Sequence, residues 1–467
     1  MRKITIIVAF LLCASGCFAQ QSRSCEVFDL RRCRETAAEF NHNIRGGEFD
    51  LRAAEYQRKE ARGEYFPRVD FAALGFYSLH PMLRIGVRDI LGYNDFGNYI
   101  QELVNLYAPA LGLDPTYSAL AGGYTARVNL VQPVYAGGRI VTGNRLADLG
   151  VEAARLQKNV NARKENAAVD ELFWQVIVLQ EKVLTLESAS ALVESLYKDV
   201  DSALKAGLVT EDEFLQVQLK RNDLRSAAVK LDKGLKLSKM NLLNTIGVGY
   251  AVIEGAATEE KPYIGTFLFE GGAGELLPPY TYFVDEQTVA ASLDESRLLD
   301  LSVESRELEK KLELGSTLPQ LAVGASYGYS DISMGGSFNG TAFATLQVPL
   351  SDWGKTSMKM KRLQNGIEKA RYEKEYMETQ LVLLVRKSWV DLCSSWDELM
   401  IARESRDAAS AAYSRMRARY DAGSITASEL LQSSASLRQT EDNLIEAECG
   451  YRKNLQEWLE NSIFVLI

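Results

Sequence analysis

Tyr124-Thr125-Ala126-Arg127-Val128-Asn129-Leu130-Val131-Gln132-Pro133-Val134-Tyr135-Ala136-Gly137-Gly138-Arg139 is the stretch that decides how this chain is built. Apolar Tyr124, Ala126, Val128 and Leu130 alternate with Thr125, Arg127 and Asn129, which is the period of a half-buried strand. Pro133 then ends the run, two glycines make a turn, and Arg139 opens a long proline-free helical pattern. The same plan recurs 216 residues later: Ala342 to Val348 alternates, Pro349 closes the run, and Ser351-Asp352-Trp353-Gly354-Lys355 leads into another long helix. The chain therefore reads as a tandem duplication.

A second pair of segments keeps that offset. Ala206-Gly207-Leu208-Val209-Thr210 with Glu213 answers to Ala422-Gly423-Ser424-Ile425-Thr426 with Glu429, so both halves place strand and tip the same distance apart. In each, the glycine caps a helix and the threonine with a glutamate three residues on forms a capping box that starts the returning helix. A third pair, Phe66-Pro67 and Leu318-Pro319, opens the preceding strands at an offset of 252, so the first half carries a 36-residue insertion.

Read in order, residues 1–19 have the layout of a secretory signal peptide: Arg2 and Lys3, an apolar core from Ile4 to Leu12, and small residues before Gln20. Cleavage follows Ala19, or Ala14-Ser15-Gly16-Cys17 is a lipoprotein site and Cys17 is acylated. A first structural repeat spans 20–245. It has helical stretches at 29–41 and 45–64 interrupted at Gly46-Gly47, strands at about 65–78 and 123–135 flanking an inserted loop at 79–122, and a helical hairpin at 139–245. Within the insertion, 95–107 suits a short amphipathic helix. Residues 246–285 form a Gly/Pro/Glu-rich equatorial segment, and a second repeat spans 286–467, with a helix at 286–314, strands at about 317–330 and 339–350, and a hairpin at 355–461.

The outgoing helices, 139–205 and 355–421, each have 67 residues, about 100 Å of helix at 1.5 Å per residue. From Leu172 the seam positions step by four and three through Val176, Leu179, Val183, Leu186, Ser190, Val193, Tyr197, Val200 and Leu204, a coiled-coil seam. The returning runs are about half as long, so the N-terminal helices and 286–314 are expected to supply the missing lengths.

Composition removes several functions. Loss of Arg2 and Lys3 takes the net charge from −9 to −11, which argues against nucleic acid as a partner. His42 and His80 are far apart, and neither a metal cluster, a phosphate-binding loop nor a nucleophile-histidine-acid set is present in the sequence, so neither enzyme activity nor a cofactor is expected. Cys25 and Cys33 would lie about 12 Å apart on a helix, too far to bridge, and Cys393 and Cys449 read as small buried residues. Nothing after the signal reaches 18 consecutive apolar residues, yet four strands of 10 to 14 residues suit a barrel wall. Four cannot close a barrel, and open edges in lipid are forbidden, so several copies must assemble.

The duplicated strand-hairpin-helix plan, the turns after Pro133 and Pro349, and the paired Ala-Gly-x-x-Thr tips resemble the TolC family of bacterial outer-membrane channel proteins over essentially the whole mature chain. The resemblance implies a mainly α fold with a transmembrane β part: a homotrimer in the outer-membrane lipid, four strands per protomer of one 12-stranded barrel, and a periplasmic α-helical tunnel. It implies a passive exit duct for a tripartite efflux or type I secretion system, working with a periplasmic adaptor (membrane fusion) protein and an inner-membrane transporter. Gly207, Leu208, Thr210, Gly423 and Thr426 would be adaptor-docking tips. Glu429 matches one constriction acid, Gln432 stands where a second acid is usual, and Glu213 and Tyr420 match contacts that hold the tip closed, while Ile425 replaces an arginine of that lock. A helix cap alone would also account for Glu213 and Glu429, and packing alone for Tyr420. The insertion is either a passive surface loop or an extracellular cap on the pore. Two other classes weigh against a channel: a periplasmic adaptor, which needs only one hairpin and a lipoyl-like region, and a coiled-coil spacer, which needs no alternating strands.

Overall fold

The computed structural model describes residues 26–80, 82–119, 122–272, 274–331 and 335–466. The signal segment, the acylation candidate Cys17 and Cys25 lie outside them. In chain order the elements are β1 (Glu26–Phe28), α1 (Leu30–Phe40), α2 (His42–Gly63), β2 (Arg68–Tyr77), β3 (Leu83–Gly86), α3 (Val87–Leu91), α4 (Asp95–Tyr107), β4 (Thr116–Ala119) and β5 (Gly122–Ala136). There follow α5 (Arg139–Lys205), α6 (Glu211–Ile246), β6 (Phe267–Phe269), α7 (Glu286–Ser292), α8 (Asp294–Gly315), β7 (Gln320–Asp331), β8 (Ser337–Gln347), α9 (Lys355–Asp421) and α10 (Ala427–Leu466). The two outgoing helices, α5 and α9, have 67 residues each.

The chain divides into two compact units. The first takes Ala153–Asp300, Lys374–Ile467 and the chain up to Arg52, and its described residues are mainly helical, with the short parallel pair β1 and β6. Its interior shows the heptad that the seam implied. Buried positions recur every seven residues at Leu186, Val193 and Val200 in α5, at Val217 and Leu224 in α6, and at Val385, Leu392 and Leu399 in α9. Such a strict repeat keeps one stripe in contact along the helices, and each fully buried leucine contributes about 1.5–3 kcal/mol.

The mid-chain segment is fixed to these helices through its backbone carbonyls. Lys239 Nζ donates to Phe267 O (2.8 Å), Gln180 Nε2 to Phe269 O (3.1 Å), Arg452 to Gly274 O (3.0 Å) and Trp458 Nε1 to Tyr282 O (2.8 Å). Phe267 and Phe269 bury their rings with Phe28, Phe173 and Cys33, which closes the N-terminal helix against α5 and α6. Burial pushes the Cys33 and Cys449 thiols up to about 12, whereas Cys393 is only half-buried.

Three sequence expectations are corrected. The N-terminal helices break at Asn41, not at Gly46-Gly47, and α2 runs through both glycines. Asn41 holds the break: its backbone is extended, its Oδ1 accepts from the N–H groups of Asn43 (2.8 Å) and Ile44 (3.1 Å), and its Nδ2 donates to Glu165 and to Thr245 O. Gly47 stays helical because it lies against the Lys158 side chain, where a Cβ would meet Lys158 Cγ at 3.4 Å. The helix expected over 286–314 is broken at Leu293, whose side chain drops into the core of α7, α9 and α10. Lastly, β5 does not stop at Pro133 but continues to Ala136, with the register shifting between Pro133 and Tyr135, a bulge that accommodates a residue lacking a ladder donor.

The second unit, Ala53–Glu152 with Leu301–Glu373, holds the antiparallel sheet β2-β5-β7-β8. The insertion between β2 and β5 folds on its own hydrogen bonds. β3 pairs with β4, and buried Gln101 of α4 accepts from Arg88 N (3.1 Å) while donating to Asn105 Oδ1 (2.9 Å) and Pro115 O (3.3 Å).

Candidate functional site

The register of the four strands sorts their side chains into two faces, because directly paired residues share a side of a sheet. On one face Phe71, Val128, Tyr327 and Gly340 form a rung, flanked by Val69, Leu130, Ala325 and Ala342, then Ala73, Ala126, Tyr329 and Phe338. On the other, Asp70, Asn129, Ser326 and Thr341 form a rung, with Arg127 and Asn339 beside it. Asn129 Nδ2 donates to Asp70 Oδ2 at 2.9 Å along the polar face. Aromatic rings gather on the apolar face, with Tyr124 stacked on Tyr329 (5.7 Å between centroids) and Phe338 edge-on to Tyr329 (5.2 Å).

Among the described residues nothing covers that apolar face: Phe71 is 69 %, Tyr327 63 % and Phe338 68 % exposed. Soluble monomers rarely expose large contiguous apolar patches. Both outer strands, β2 and β8, also have one neighbour each, which leaves a row of ladder groups unpaired at each edge.

The tips form the second constellation. At each, the outgoing helix ends in a glycine-centred reverse turn: the Gly207 N–H donates to Leu204 O (2.9 Å) and Leu208 N–H to Ala203 O (2.9 Å), while Gly423 N–H donates to Tyr420 O (2.8 Å) and Ser424 N–H to Arg419 O (2.8 Å). Gly207 and Gly423 sit at φ 70° and 69°, the left-handed conformation this cap demands. Thr210 and Thr426 both cap the returning helix, each accepting from the N–H three residues on at 3.3 Å.

There the likeness between the tips ends. Glu429 returns to its own cap, its Oε2 accepting from Thr426 N (3.0 Å), which completes the capping box. Glu213 does not; the first tip lacks the reciprocal half of the box expected from its sequence. Its Oε1 instead accepts from Ala427 N (2.9 Å), a first-turn donor of α10 in the other hairpin. A carboxylate at a helix N-terminus meets both an orphan donor and the positive end of the helix dipole, so this one contact joins the hairpins.

Tyr420 lies against the shared apolar cluster of Leu186, Val193, Val217 and Leu430. Burial first, then the Asp199 and Glu213 carboxylates, push its hydroxyl above the ordinary tyrosine range. Ile425 is half-buried at the rim of the same cluster. Gly207, Leu208, Thr210, Gly423 and Thr426 are exposed, Leu208 by 79 %. Glu429 and Gln432 are exposed three residues apart on α10, hence on one face of it. Sequence reading missed Ala427 because its contribution is a backbone N–H, and missed Asp199 because nothing local links it to Tyr420.

Residues 301–457, in the second repeat, match the family model described as outer membrane efflux protein. A search of curated proteins finds no match. Among solved structures, a membrane protein from Pseudomonas aeruginosa is similar, with a TM-score of 0.72 at 14 % identity over 92 % of this chain and 93 % of that one. The Campylobacter jejuni CmeC outer membrane channel gives 0.71 at 12 % identity over 92 % and 85 %, and the Vibrio cholerae outer membrane protein VceC 0.69 at 12 % over 92 % and 95 %. The family match thus covers part of the second repeat, and these structures, at 12–14 % identity, show that the chain shares their fold.

Proposed function

We propose that three copies of this chain each lend their four strands to one 12-stranded barrel and their helices to a periplasmic tunnel, forming the passive exit duct of a tripartite efflux or type I secretion assembly. The observation that carries this is the uncovered sheet: a lipid-compatible face, a polar face and two unpaired edges are the parts of a barrel wall that only neighbouring copies can close. In this reading β8 of one copy pairs with β2 of the next. Energy comes from an inner-membrane transporter, reached through a periplasmic adaptor docking at Gly207, Leu208, Thr210, Gly423 and Thr426.

Glu429 and Gln432 would line the narrow tip, as one carboxylate and one neutral amide per copy. Glu213 and Tyr420 would hold the tip closed, with the Glu213 contact to Ala427 tying one hairpin to the other. The insertion, at the β2–β5 end of the sheet, would sit outside the cell as a folded cap.

The faces give the test. An arginine on the lipid side of a barrel costs about 2–4 kcal/mol near the bilayer midplane, so Tyr327→Arg should abolish the folded, heat-modifiable oligomer on a gel. Thr341→Arg, on the polar side, should assemble and change only the conductance. Equal tolerance of both would remove the barrel reading.

A further inference from the structure

We infer that the elbow between β8 and α9, Leu350–Lys355, is an anchoring site for the phospholipid headgroup region at the periplasmic boundary of the membrane. The inference rests on the proposed channel reading for its direction, since it takes the apolar face of the sheet as the lipid side.

The internal duplication supplies the first argument. Trp353 stands 216 residues after Gly137 and Gly354 after Gly138, and the two turns have the same backbone, with φ 63° and 78° in the first copy and 54° and 81° in the second. Glycine takes the left-handed region freely, while a side chain there clashes with its own carbonyl. Trp353 is the single non-glycine residue with positive φ among those described. The second copy of the turn thus keeps a tryptophan where the backbone favours glycine.

Among the described residues no contact offsets that strain. Trp353 is 98 % and Leu350 93 % exposed, whereas Trp174 and Trp458 are buried and Trp389 and Trp396 pack on the core of α7, α9 and α10. Nor is the elbow a loose loop. Asp352 fixes it, Oδ1 accepting from Gly354 N (3.1 Å) and Oδ2 from Thr356 N (2.6 Å), so the indole is held in display.

Continuity identifies what covers it. The apolar row of β8 is Phe338, Ala342, Ala344 and Leu346, and its parity runs on through Val348 and Leu350 to the elbow. Past Trp353 comes exposed Lys355, beside a groove of about 400 Å³ lined by Glu313, Thr317, Asp352 and Lys359. Apolar row, indole, then cation is the order of hydrocarbon, interface and phosphate across one leaflet edge. Strain that is unrewarded in water is rewarded when the indole enters that layer.

The test uses the full protein in vesicles of phosphatidylcholine and phosphatidylglycerol, with conductance recorded to score insertion. The emission lost in Trp353→Phe isolates this one indole. It should be quenched by a nitroxide carried at headgroup level several-fold more than by one at the chain centre. Trp353→Gly should restore the turn of the first repeat, melting higher in detergent yet inserting several-fold less efficiently. A conducting channel whose Trp353 emission ignores lipid-borne quenchers, because a neighbouring copy shields it or because only aqueous quenchers reach it, overturns the anchor while leaving the channel standing. So does a Trp353→Gly protein that inserts as well as wild type. A protein that never conducts removes the channel reading and the anchor together.

Discussion

Glu213 shows how one carboxylate can leave a local role for a long-range one. Its sequence context, three residues after a capping threonine, specifies a box closed within the first tip, and Glu429 closes such a box in the second. Glu213 instead reaches the N–H of Ala427 in the other hairpin. That pairing spans 214 residues, so no local pattern could have disclosed it, whereas the glycines and threonines of the tips were legible because a helix reversal demands them. If the contact restrains the tip, Glu213→Ala should raise single-channel conductance in a planar bilayer, as should Tyr420→Ala, which opens the packing beside it. Glu213→Gln keeps an acceptor oxygen for Ala427 and should stay near wild type. Unchanged conductance in both alanine variants would leave Glu213 a cap and Tyr420 a packing residue. The turn glycines make a separate, purely structural prediction. Gly423→Ala places a Cβ at φ 69° and should cost roughly 1 kcal/mol or slightly more, seen as a lowered melting temperature with the assembly retained.

At the scale of elements, the heptad organises the helical unit. Val385, Leu392 and Leu399 are fully buried at intervals of seven in α9, against Val289, Tyr451 and Trp458. Leu392→Ala should cost about 2–5 kcal/mol, from lost transfer energy plus the cavity left in a stripe that cannot collapse easily. Circular dichroism during a thermal melt of the detergent-solubilised protein would measure it, and a loss under 1 kcal/mol would mean that the stripe is loosely packed. The two 67-residue helices were legible because they are free of proline and end in glycine caps. What was not legible depends on contacts. The break at Asn41 rests on partners at Glu165 and Thr245, and α2 passes through Gly46-Gly47 because packing on Lys158 outweighs a weak local preference. The bulge at Pro133 needs the register of β7 to be known. The folded insertion hangs on Gln101, whose partners lie up to 14 residues away.

For the whole molecule, the governing fact is that the sheet is incomplete. Among the described residues β2 and β8 each present an edge with no partner strand, and in hydrocarbon every unpaired backbone group costs several kcal/mol. An exposed edge of this kind in water would equally be a template for aggregation. Closure through identical copies would satisfy both constraints, using one heterologous, head-to-tail strand contact repeated around an axis. The measurement that tests this most directly is the mass of the conducting species, by native mass spectrometry of protein extracted from the outer membrane and shown to form channels. The account expects three chain masses. A single chain that conducts, with both sheet edges still open, would contradict it.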